Sequence, residues 1–312
     1  RILGVIDRPY RTDLLRRLLH DDAPSVVRAA IEAAGKTGER VFVPLLLQHL
    51  GEDAFEAGAR RALASYGPAI FGTLYDALID EVLPLAARQR LPSVFVAHPD
   101  PFGFTLLVRS LPRVPVPVRH AVVRALSRGH QNASVSADLD GIEAALDREI
   151  EHFAALGQVL RVGRRGDAAE AGLPTPAQLR SFRAEALERI FRLLGLRYDQ
   201  TDIYDAYLGI TSADPAFHDS AVEFVDNLVD YRTRRVLLPL LDDPEGTQAV
   251  AVGRDAFDLR IRDADDARRY LRAVDDPRLV SLLDAPEATD AAGAAEEHRR
   301  AVAPSSPPSD GP

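Results

Sequence analysis

Residues 30–37 read Ala-Ile-Glu-Ala-Ala-Gly-Lys-Thr, the residue order of a relaxed phosphate-binding loop with Gly35, Lys36 and Thr37 at its functional end. That chemistry requires a preceding strand and a following helix whose first amides face the phosphates. Here the order is inverted, because the segment closes a helical pattern. The equivalent slots Ser65-Tyr66-Gly67 and Ser127-Arg128-Gly129 carry no lysine. The segment is therefore expected to be a helix end, with Gly35 and Gly38 terminating the helix, and no nucleotide or other cofactor is expected on the chain.

Other reactive side chains are present without a pattern that organises them. Eight histidines stand at positions 20, 49, 98, 120, 130, 152, 218 and 298, and none has the short spacing of a metal site. They are expected to be surface or capping residues. Seven carboxylates, Asp202, Asp205, Asp214, Asp219, Glu223, Asp226 and Asp230, gather in one region and could supply an acid–base pair. Helix caps and a solvated helix face explain them better, with Asp202 and Asp214 directly preceding helices. The chain has no cysteine, which removes disulfides, thiolate ligands and cysteine nucleophiles. No nucleophile elbow or glycine-rich dinucleotide loop occurs.

The elements that position these residues are announced by a repeat. Val27-Arg28-Ala29-Ala30-Ile31-Glu32-Ala33-Ala34-Gly35 returns as Ala59-Arg60-Arg61-Ala62-Leu63-Ala64-Ser65-Tyr66-Gly67, and again as Val118-Arg119-His120-Ala121-Val122-Val123-Arg124-Ala125-Leu126. A period near 30 residues signals stacked helical pairs. In the first unit, residues 13–19 have the apolar spacing of one helix and residues 20–25 form the turn. Pro24 suits the first turn of the second helix, and Asp22 is placed to cap it. Arg28 is expected to pair with a carboxylate in the same or a neighbouring turn. Ala30, Ala62 and Ala121 hold a small-residue slot where helices approach closely.

Further helices are expected over residues 41–50, 54–66, 74–79, 83–96, 106–111 and 118–127, with a polar loop at 130–136. Residues 139–162 and 177–196 read as two long helices, joined by a glycine- and proline-rich mobile loop at 161–178 and forming an antiparallel hairpin inside the array. Paired helices return at 202–208, 220–229 and 232–241. Residues 261–283 hold one or two short helices. The expected division is 1–136 for the first repeats, 137–284 for the hairpin and later repeats, and 285–312 for a disordered tail of Ala, Glu, Pro and Ser, too polar to offset its ordering entropy.

Composition agrees. Hydrophobic residues make up 46% of the chain but aromatics only 6%, so the apolar mass is Ala, Leu and Val, which suits helix packing better than sheets. The net charge of −9 disfavours non-specific binding to nucleic-acid backbones and leaves room for a local basic patch. The cations are arginines apart from Lys36. No apolar run approaches the ~20 residues of a membrane helix, so this segment is not expected to insert into a bilayer. There is no methionine, and the chain is read as part of a longer protein.

The Asp22-x-Pro24 turn, Val27-Arg28-x-Ala30 and Ala33-x-Gly35 resemble the HEAT-repeat family, with Arg60, Ala62 and Gly67, then Arg119 and Ala121, in the corresponding places. A narrower likeness runs through residues 186–196 (Ala-Leu-Glu-Arg-Ile-Phe-Arg-Leu-Leu-Gly-Leu), Asp202-Ile203-Tyr204-x-Ala206-Tyr207-x-Gly209, residues 221–228 and residues 237–242. It is similar to the cytosolic HEAT-repeat region of large bacterial membrane proteins, in which a transporter-like domain related to ATP/ADP translocases precedes the repeats. That family's transport residues lie in membrane helices, so none carries over. The resemblance implies a non-catalytic α-solenoid that scaffolds or regulates, cytoplasmic and at the cytosolic face of a membrane. Its partner is a protein or an attached membrane domain of the same polypeptide. The alternative is an accessory or lyase-type protein acting on a cofactor-bearing partner. Its sequence signature would be a polar groove with convergent acid and base residues.

Overall fold

The computed structural model describes residues 8–98, 100–130, 139–165, 172–244 and 246–284. Among them there are helices and turns and no strand, the architecture of an all-α solenoid. The polar segment 131–136 and the tail 285–312 lie outside the described residues, as does most of the loop between the two long helices.

The first pair is α1 (Arg8–Leu18) and α2 (Pro24–Thr37), and the second is α3 (Val43–Leu50) and α4 (Glu56–Ala64). Next come α5 (Phe71–Ile79) with the short α6 (Leu85–Arg90) and α7 (Pro92–Phe95), then α8 (Pro101–Ser110) and α9 (Val116–His130). The single helix expected over 83–96 is divided at Leu91, because Pro92 has no N–H to continue the ladder. The long helices are α10 (Leu139–Arg165) and α11 (Pro176–Leu194). Glu143 meets Arg197 at 3.0 Å, Glu149 meets Arg189 at 2.7 Å, and Arg183 sits 4.2 Å over the Phe153 ring. As one number rises the other falls, so the two helices run antiparallel, as the hairpin reading requires. The chain continues through α12 (Gln200–Ile210), α13 (Pro215–Leu228), α14 (Tyr231–Leu241), α15 (Thr247–Phe257), α16 (Ala264–Ala273) and α17 (Pro277–Asp284).

One continuous core of Leu, Val, Ala, Ile and Phe runs through the stack. Leu15, Leu46, Leu50, Leu63 and Leu74 are completely buried, each contributing roughly 1.5–3 kcal/mol of transfer free energy. Helices α2, α4, α7, α9 and α11 form a row in which each packs on the next.

Two expectations for the first unit are corrected. Gly35 does not end α2. It is buried inside the helix, and a Cβ built on it would stand 2.9 Å from the Ala62 Cα. Its hydrogen atom is what lets α4 approach, while Gly38, at φ 65°, supplies the left-handed cap. Asp22 does not cap α2 either. Pro24 occupies the first helical position, which makes Ala23 the cap residue, and Ala23 has no capping side chain. Asp22 lies one residue too early, and the Ala23 amide donates instead to Asp21 at 2.9 Å. Among the other repeat positions, Ala30 and Ala62 are buried and Ala121 is half-buried. Gly67 has φ 60° and opens a 3-10 turn over Gly67–Ile70.

Candidate functional site

Helices α2 and α4 wall a groove of about 810 Å³. Its position follows from the close approach at Gly35 and Ala62. The Ser65 hydroxyl donates to the Gly35 carbonyl at 3.0 Å and to the Ala62 carbonyl at 2.7 Å. The Tyr66 hydroxyl donates to the carbonyls of Ala34 at 3.2 Å and Glu39 at 3.0 Å. Burial, aided by the charge of Glu39, pushes the Tyr66 hydroxyl up to about 12. These bonds tie the two units together and hold the groove walls in register.

The groove's charged lining is Arg28, Glu32 and Lys36 from α2 and Arg61 from α4. Lys36 donates to Glu32 one turn away. That hydrogen bond, then the charges of Lys36 and Arg61, hold the Glu32 carboxyl below its ordinary value. Lys36 is thus a partner of Glu32 on the flank of a helix, and the phosphate-loop order has no loop beneath it. Arg28 is exposed and makes no ion pair among the described residues, contrary to the expected pairing, because its one-turn neighbour Glu32 is held by Lys36. Arg60 lies 3.4 Å from Glu56 in its own helix. Ser65 donates its proton to carbonyls, so no base activates it. The chemistry open to this groove is binding, through cationic side chains above a floor of Ala29, Ala54, Phe55 and Ala57.

A second cluster lies inside the molecule. Glu149 of α10 is fully buried between two arginines. Arg119 of α9 reaches Oε1 with Nη1 at 3.1 Å, and Arg189 of α11 reaches Oε2 with Nε at 2.7 Å. Arg119 also donates to the carbonyls of Leu111 and Val114. Burial pushes the Glu149 carboxyl up, but the charges of Arg189 and Arg119 outweigh it and hold the group below its ordinary value. One turn on, His152 is buried with Nδ1 2.8 Å from the Tyr270 hydroxyl of α16. Burial, reinforced by Arg189, pushes its imidazole down to about 4. Asp276, also buried, accepts from Arg278 at 2.8 Å, and Arg278 forks onto Glu185 of α11 at 2.8 and 3.0 Å. These groups join α9, α10, α11, α16 and α17. They hold the stack together.

The expectation that the histidines sit at the surface fails at His49 and His152, which are buried. His49 contacts the Leu19 carbonyl through Nε2 and Glu52 through Nδ1, both at 2.9 Å, and so links the α1 and α3 units. In the acidic region the caps are Asp199 for α12, Asp214 for α13 and Asp230 for α14. Asp202, expected to precede α12, lies in its first turn instead. No group of three His, Asp or Glu able to hold a metal ion occurs among the described residues.

The two-unit groove coincides with a known pattern. The family model for HEAT repeats matches residues 1–66. The matched segment contains the two helical pairs whose second helices wall the groove. No curated protein matches the chain. No helix among the described residues is long and apolar enough to cross a membrane.

Proposed function

We propose that the chain is a non-catalytic protein-interaction scaffold that holds a partner in the groove between α2 and α4. The observation that supports this most is the groove itself, which lies within the HEAT repeats and has charged and small apolar side chains converging on it with no nucleophile and base in contact. Stacked repeats present extended surfaces of this kind, and their stability comes from neighbouring repeats rather than from the surface that binds. The groove residues are therefore free to serve recognition. The finer reading is that the chain is the cytosolic regulatory region of a larger transporter-like membrane protein, with the division into first repeats, hairpin with later repeats, and tail as above. It is supported by the sequence likeness over residues 186–242. Gene sequence upstream of Arg1 encoding successive apolar helices of about 20 residues is the outcome expected of it, and an upstream soluble enzyme domain would oppose it.

Photo-cross-linking tests the scaffold reading. Ala57 is exposed in the groove, and Gln48 is exposed on α3, away from it. A photoreactive amino acid at position 57 is expected to capture a discrete protein in cells of the source organism, and the same group at position 48 is expected not to. Equal capture from both positions, or none from position 57, would oppose the proposal.

A further inference from the structure

The chain is acidic as a whole, yet the face that carries the groove is not. Of the charged groups lining the groove, Arg28, Lys36 and Arg61 stand against Glu32 alone. Glu32 is taken by Lys36, so Arg28 and Arg61 face the groove without a contact ion pair among the described residues. Further arginines stand along the row. On α9, Arg124 and Arg128 are exposed, whereas Arg119 is buried against Glu149. Burial, and then the like charges of Arg124, Arg192 and Arg60, push the Arg128 guanidinium below its ordinary value. Arg60 and Arg192 are paired with Glu56 and Glu188, so the positive excess that faces an incoming ligand is that of the groove, Arg28 and Arg61. In a chain of net charge −9 two such arginines on one opening draw approaching anions to it.

The floor between the cations is apolar and low. Ala29, Ala54, Ala57 and Gly58 raise no long side chain into the groove, and Phe55 gives it one larger apolar wall. A helix with its side chains is about 10–12 Å across and can lie on such a floor with an apolar stripe inward, while carboxylates at its edges meet guanidinium forks, the stronger class of hydrogen bond.

We propose that the groove between α2 and α4 takes an acidic, amphipathic helical segment of a partner protein, its apolar stripe on Ala54, Phe55 and Ala57 and its carboxylates on Arg28 and Arg61. This rests on the scaffold reading above and names the chemistry of its partner. A nucleic acid fits the same cations less well. Phosphates have no use for the apolar floor, and a polyanion long enough to follow the row beyond α11 meets α12 and α13, whose only charged groups other than His218 are carboxylates.

The test uses the full chain and a fluorescent peptide of about 15 residues, with Leu and Ala on one helical stripe and Glu on the flanks, against the same peptide with Gln for Glu. Fluorescence anisotropy should show the Glu peptide binding about tenfold or more tightly than the Gln peptide, with the difference shrinking as salt screens the charges. The double variant Arg28→Glu, Arg61→Glu should remove that preference and favour a Lys-flanked peptide. Both side chains are exposed, and a thermal melt matching the parent chain shows that the fold is kept. Arg232→Glu, on α14, should leave the preference intact. Equal binding of the Glu and Gln peptides, or displacement of the Glu peptide by an equimolar RNA oligonucleotide, would overturn the proposal. Capture from position 57 together with equal peptide binding would leave the scaffold standing and refute only the acidic partner. No capture from position 57 would refute both.

Discussion

Replacing Glu149 by alanine should destabilise the fold by about 3–5 kcal/mol in chemical denaturation, the usual result of removing one member of a buried ion cluster. Glu149 is the shared counter-ion of Arg119 and Arg189, both buried. Its removal leaves two guanidinium charges in an apolar interior and a cavity where the carboxylate stood. The position of the cluster enlarges the effect, because Arg119 comes from the last helix before the hairpin and Arg189 from its second arm. The same substitution at Glu143, whose partner Arg197 it meets nearer the surface, should cost under about 1 kcal/mol. Joint replacement of Arg119, Glu149 and Arg189 by Met, Leu and Met should recover most of the loss, since apolar side chains of similar size remove the desolvation penalty together with the attraction. A Glu149→Ala variant within about 1 kcal/mol of the parent chain would mean that water reaches this cluster and that it does not clamp the hairpin to the repeats.

The second large effect is a dependence on pH. His152 titrates near 6.5 when unfolded and near 4 in the folded chain. Between those values the unfolded chain binds the extra proton, so stability falls as pH falls. The contribution is fully present above pH 6.5 and is lost on the way down to about pH 4. From about pH 7.5 to pH 5 this amounts to roughly 2 kcal/mol, since a tenfold difference in proton affinity between the folded and unfolded chain is worth about 1.36 kcal/mol. The groups that set it surround the ring: Arg189, Glu149, Arg119 and Asp276, with Tyr270 bonded to Nδ1. Other histidines contribute as well. The ordinary value of His120 is lowered and that of His218 is raised, so they act in opposite directions. The comparison that isolates His152 is therefore the parent chain against His152→Gln, which keeps a neutral acceptor for Tyr270. The variant should lose most of the slope between pH 5 and pH 7. An unchanged slope would assign the acid sensitivity elsewhere.

Much of the fold was legible because its signals are local. The recurrence of the Arg28, Ala30 and Gly35 register marks the second helices, and the apolar residues Ile142, Leu146, Ile150, Phe153 and Leu160 are themselves a local signal of α10. The unread parts depend on contacts distant in sequence. Helix α15 went unnoticed because its own residues are small and weakly patterned. It forms where Asp243 accepts the amides of Thr247 and Ala249, both at 2.7 Å, and where Gln158 of α10 donates to the Ala249 carbonyl at 3.0 Å. No motif marks Glu149 or Arg189, although the sequence carries a signal for both. Glu149 lies three residues after Leu146 and four before Phe153, on the apolar stripe of its helix, and Arg189 stands beside Ile190 on the buried side of α11. A charge on an apolar stripe calls for a buried partner, and the partner lies 40 residues away. The Asp22 cap failed for a local reason, since Pro24 at the first helical position fixes Ala23 as the cap. The groove needed two units in place before Arg28 and Arg61 could be seen to share one opening.

A protein partner held on the second helices of the first two helical pairs must cover their outward amides. Hydrogen–deuterium exchange measures this most directly, comparing the free chain with the complex isolated through position 57. Partner binding should slow amide exchange in Pro24–Thr37 and Glu56–Ala64 and leave Pro215–Leu228 at its free rate. Protection confined to α12, α13 and α14, with the amides of α2 and α4 exchanging as in the free chain, would contradict it.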